Sequence, residues 1–102
     1  MWFGFPTPRS NPQAGDILVT TSPMRKGLHS IQVFIYTDAS NVLVSIQKMS
    51  GDNRVIIDQI MPVQLYLFVS IDSLDVETTD YLRIVNKNTV TGSVSTSISV
   101  TE

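Results

Sequence analysis

The chain has 102 residues, a net charge of −2, no cysteine and a single histidine. That length is one domain with enough chain for a core of its own. The missing cysteine excludes disulfides, thiolate metal sites and thiol nucleophiles.

Lys and Arg are scattered, with only Arg25 and Lys26 adjacent, so no basic stripe exists to neutralise phosphates and no nucleic-acid partner is expected. Charged residues make up 16% of the chain, against about 25% in an ordinary domain. Either Ser, Thr, Asn and Gln wet the surface, or another subunit covers part of it. Met1 to Phe5 lacks the basic start and long apolar stretch of a signal peptide. No apolar run approaches the ~20 residues of a membrane helix. A soluble protein made in the cytoplasm is expected, with no membrane partner.

In chain order, residues 1–15 come first as an extended N-terminal arm. Trp2, Phe3 and Phe5 form an aromatic tip, and Pro6, Pro8 and Pro12 block helix and regular ladder pairing. Residues 16–102 form the domain proper, with about seven strands expected. Asp16–Thr21 is short and ends at Ser22-Pro23. Gly27–Tyr36 is apolar on both faces, with Ile31, Val33 and Ile35 on one and Phe34 and Tyr36 on the other, as a central strand covered at least partly on both sides would be.

Asp38 to Asn41 makes a turn, after which Val42, Val44 and Ile46 point inward from the strand Val42–Lys48. Ser50 to Asn53 is the next turn, Arg54–Ile60 the next strand, and Pro62 an interruption. Gln64–Asp72 alternates, with Leu65, Leu67, Val69 and Ile71 against Gln64, Tyr66, Phe68, Ser70 and Asp72. An acidic loop from Ser73 to Asp80 follows, with room for one helical turn. Tyr81–Asn86 and the Ser/Val tail from Ser93 to Thr101 are the last two strands. The tail sets Val94, Thr96, Ile98 and Val100 against the alternate serines, the period of two of a strand with one dry side. No window shows helical periodicity over three turns. Strands recurring every 10–12 residues predict an all-β antiparallel β-sandwich, Ig-like or jelly-roll-like, or a small barrel.

Little in the chain points to chemistry. With one histidine, His29, there is no second imidazole for a metal cluster or a relay, and an ordinary strand-end side chain is the plainer reading. Asp72, Asp75, Glu77 and Asp80 could offer oxygens to Ca²⁺, yet they lack the spacing and glycine of an EF-hand loop. The serine-rich tail contains no nucleophile elbow, and no glycine loop for phosphate is present. No catalytic residue, metal or cofactor is expected.

The pointed features are aromatic. Trp2, Phe3 and Phe5, with Pro6, are expected to anchor the arm, either on its own sandwich or in a neighbour, since burying one such ring gives roughly 1.5–3 kcal/mol. Tyr36, Tyr66 and Phe68 add an outward β-face contact, as a subunit interface or as a sugar-stacking platform.

A short arm, seven strands, Asp80-Tyr81-Leu82-Arg83-Ile84 and a Ser/Thr-alternating last strand resemble the small structural β-sandwich proteins of tailed bacteriophages: capsid decoration proteins and the heads of head fibres and tail fibres. The resemblance implies a non-enzymatic virion component that docks on a capsid or tail lattice and forms a homo-oligomer, a trimer being common among such proteins. The virion is the location it implies. A carbohydrate-binding or receptor-binding adhesion module is the alternative expectation.

Overall fold

The computed structural model describes residues 1–4 and 8–101, all of them in strands and connections with no helix. The nine strands are β1 (Trp2–Phe3), β2 (Arg9–Ser10), β3 (Ile17–Thr20), β4 (Gly27–Thr37), β5 (Val42–Met49), β6 (Val55–Val63), β7 (Tyr66–Val76), β8 (Tyr81–Asn86) and β9 (Ser93–Thr101). They form two antiparallel sheets: β9, β4 and β7 in that order with β1 and β2 on the free side of β9, and β3-β8-β5-β6. The described residues form a β-sandwich of nine strands where about seven were expected. The two additional strands come from the proline-rich start, which pairs with β9 as the last rungs of the first sheet.

The inward sets read from the sequence meet between the layers. Ile31, Val33 and Ile35 of β4 pair with Val100, Ile98 and Thr96 of β9 and with Ile71, Val69 and Leu67 of β7. Val42, Val44 and Ile46 of β5, with Leu82 and Ile84 of β8, face them across the core. Period-two alternation puts one apolar stripe per strand on the same side, and stacking the two striped sheets removes both from water. The other side of β4 differs: Phe34 is half-buried and Tyr36 exposed.

Three sequence expectations are corrected. Pro62 does not interrupt the fourth predicted strand; it lies inside β6, opposite Leu43, because β6 is the edge of its sheet, where a missing N–H need cost no ladder bond. The first half of the acidic segment is strand: β7 continues to Val76, with one extra residue accommodated between the pairs His29–Leu74 and Ile31–Ile71. That bulge shifts the alternation by one, which hides the inward-facing Leu74 and Val76 from a period-two reading. It also leaves no helical turn at Ser73–Thr79.

Gly4 positions the start of the chain. Its φ is +81°, and a Cβ there would lie 2.6 Å from the Thr96 carbonyl oxygen. Only glycine lets the backbone pass this close to β9 in that conformation. The Met1 ammonium donates to the Val100 carbonyl at 2.7 Å, so β1 is held at both ends.

Candidate functional site

Register puts the site together. Trp2 stands opposite Ser99, Phe34 opposite both Ser97 and Phe68, and Tyr36 opposite both Ser95 and Tyr66. Directly paired residues in an antiparallel ladder point to the same face, so all five rings emerge on the outer side of the first sheet. Phe34 is the hub: its ring centroid lies 4.7 Å from that of Phe68, 5.6 Å from Trp2 and 6.4 Å from Tyr66, with interplanar angles of 51°, 39° and 52°. Around it Trp2, Tyr36, Tyr66 and Phe68 stay 57%, 56%, 52% and 44% exposed.

A large aromatic side chain carries roughly 150–250 Å². Four of them about half-open therefore leave on the order of 300–500 Å² of contiguous ring surface, the size at which a monomer's largest apolar patch is often functional. The polar neighbours on this face are hydroxyls and amides, including Gln32, Ser70 and Ser97. No Lys, Arg, Asp or Glu falls among the outward positions of β9, of β4 from Ser30 to Tyr36 or of β7 from Tyr66 to Ser70.

The predicted anchors divide. Trp2 joins Tyr36, Tyr66 and Phe68 on the outer face, whereas Phe3, one residue on, turns inward and packs against the core. Phe5 and Pro6 lie outside the described residues. Phe34 is the member of the ring cluster that the sequence reading did not single out. Its position two before Tyr36 on one strand was the available signal.

Apolar side chains are also exposed along the edge of the other sheet, on both of its sides: Ile57 lies opposite Lys48 of the inner set and Ile60 opposite Ser45 of the outer one. Val55, Ile56, Ile57 and Ile60 of β6 are all exposed, and Leu65 stands exposed with a φ of 62° at the corner between β6 and β7. The β6 edge carries the usual guards against strand addition: a bulge at Ile56, the charged Asp58 and Pro62. Its free surface is therefore one of side chains.

The titratable groups are dispersed. His29 is buried; its Nε2 lies 2.7 Å from the Arg25 carbonyl oxygen. A carbonyl can only accept, so Nε2 carries the proton and Nδ1 holds the lone pair in the neutral ring. Nδ1 is sealed from solvent and has no partner among the described residues. The ring borders an open cleft of about 560 Å³ with Met1, Phe3, Met24 and Val100, and among the described residues no carboxylate lines it. Asp80, buried, accepts from the Glu77 N–H at 3.0 Å and pairs with Lys48 at 3.6 Å, while Asp72 and Asp75 sit out on β7. Among the described residues no three His, Asp or Glu gather as a metal site. Tyr81 donates to Asn53 at 2.7 Å, tying the start of β8 to the β5–β6 turn.

No protein family matches the chain, and no curated protein matches its sequence.

Proposed function

We propose that this chain is a non-enzymatic structural subunit of a bacteriophage virion, of the capsid decoration or head-fibre kind, that binds and stabilises a protein lattice through its sheet surfaces. The observation that carries this reading is the pair of separate apolar surfaces on one small sandwich: the ring cluster outside β4 and β7, and the flank of β6. A protein that bridges needs two contacts, and repetition over a lattice turns modest contacts into durable ones. Half-exposed aromatic residues clustered at the middle of a face are typical anchors of protein interfaces. The dispersed titratable groups support a binding role over a catalytic one.

A carbohydrate-binding or receptor-binding role draws on the neutral, hydroxyl-lined setting of Tyr36 and Tyr66. It is the weaker reading, because a sugar stacks on an open ring face, whereas Tyr66, Trp2 and Phe68 each lean on Phe34, at 52°, 39° and 51°. Specific binding on a glycan array that Tyr66→Ala abolishes would reverse that order.

The test is composition of the particle. Purified virions of the phage that encodes the chain should contain it in stoichiometric amounts. A variant with Ile57→Lys and Ile60→Lys should fold normally and be missing from them. Absence of the unaltered protein from the particles ends the proposal.

A further inference from the structure

The two apolar surfaces differ in charge, and the difference assigns them. We infer that the ring-bearing face of the first sheet is where a second copy of this chain docks, face to face about a two-fold axis; this rests on the reading of the protein as an assembly subunit.

In a two-fold contact each surface meets itself, so charges at its centre must be taken out of water and any on the axis meet their own sign. Around the rings the outer face of the first sheet is free of that conflict; its carboxylates, Asp72 and Asp75, lie further along β7, beyond Ser70. Gln32, Phe34 and Tyr36 on β4, and Tyr66, Phe68 and Ser70 on β7, are uncharged, as are the β9 positions beside them. The second sheet offers no such face. Its outer side carries Arg83 and Asp58, and Asp58 sits in the middle of the apolar flank with Arg54 and Asp52 at its end. That flank fits a partner of different sequence, whose charges can complement these.

Area points the same way. A stable pair covers about 800 Å² on each partner. The half-open rings supply on the order of 300–500 Å² of it, and the polar side chains around them adjoin that surface. The two longer dimensions of the molecule are 38 and 23 Å, so a face of this sheet has room for the whole footprint. The β6 flank offers only four half-open Val and Ile side chains and Leu65, well short of it.

Sedimentation velocity on the purified full chain, from about 1 to about 100 µM, reads the association directly, since modest interfaces dissociate in that range. Trp2 is the only tryptophan and lies in the face, so its emission should shift to the blue as the dimer forms. Phe68→Glu, which sets two carboxylates into the contact, should raise the dissociation constant on the order of 100-fold while leaving the circular dichroism unchanged. Tyr36→Glu, at the more exposed position, should do the same and serves if the first variant misfolds. The Ile57→Lys, Ile60→Lys variant should dimerise like the parent.

A chain that stays monomeric throughout, that forms a trimer, or whose dimer survives both glutamate variants overturns the inference. So does a dimer lost only in the β6 variant. Particle composition is measured separately: a dimer absent from virions would sink the virion reading and leave this contact standing, and an incorporated monomer would do the converse.

Discussion

The outer faces of the two sheets are built from the same alternation yet end in opposite states. On the second sheet, Ser45 and Gln47 of β5 point away from the core and are nevertheless buried. Ser45 donates to Asp58 on one side, and Gln47 accepts from Arg83 at 2.7 Å on the other. Long neighbours cover short ones and every partner lies within the sheet. On the first sheet, the equivalent positions of β4 and β7 hold rings: Phe34 packs on Tyr66 and Phe68, and Tyr36, Tyr66 and Phe68 stay about half-exposed. A hydrogen-bonded polar face is complete alone; an aromatic face leaves apolar area in water whose removal is favourable. The contrast marks the ring face, without reference to any cleft, as the side that leaves apolar area to be covered.

The comparison can be broken from either side. Removing the hub should have the largest effect: Phe34→Ala deletes three ring contacts of roughly 0.5–1.5 kcal/mol each. We expect a loss of about 2–3 kcal/mol in urea unfolding, with Trp2 emission shifted to the red in the folded state. A Trp2 spectrum unaltered by this change would mean that the rings do not act as a cluster.

On the other face, Arg83→Ala leaves the buried Gln47 carbonyl oxygen without its donor. An unsatisfied buried acceptor costs on the order of 1–3 kcal/mol, and partial access of water near the half-exposed Arg83 puts the expectation at about 1 kcal/mol. Gln47→Leu in the same background should recover much of it, because an apolar side chain leaves nothing unpaired. Additive losses from the two changes would argue that the polar pair is not a unit.

The smallest effect is acid sensitivity in the turns. The Ser93 backbone N–H, at 2.8 Å, holds the Asp38 carboxyl below its ordinary value of 3.8, and the Ser50 hydroxyl followed by Arg54 does the same for Asp52. A lowered folded pKa means stability that is fully present above the ordinary value and is lost as pH falls through the lowered one. The urea midpoint should therefore decline below about pH 4, and Asp38→Asn should flatten the part of that decline due to the β4–β5 turn. A midpoint in the parent that holds level down to pH 2 would contradict this.

Much of this face was legible. Gln64 to Asp72 alternates without a break, so Tyr66 and Phe68 could be set outward, and Tyr36 followed from Ile31, Val33 and Ile35 facing in. What pattern alone could not supply was partnership. Trp2 belongs to the cluster because β1 lies along β9 at Ser99, almost the full length of the chain away, and no local period encodes such a pairing. Phe34 was visible as a ring on the right side of its strand, but its role as the hub depends on three neighbours from two other strands. The β6 misreading has a different cause. Proline forbids a central ladder position, and only the sheet order tells that β6 is an edge. The bulge in β7 similarly makes two inward residues look like part of a loop.

The bond from the Met1 ammonium to Val100 has a mechanical consequence. It sets the two extremities of the described chain side by side at one corner, on neighbouring antiparallel strands. A load applied between residues 1 and 101 would open the β1–β9 rungs one after another, as a zip does, instead of shearing them together. Anything fused at either extremity would emerge at that same corner, beside the cleft and at the margin of the aromatic face.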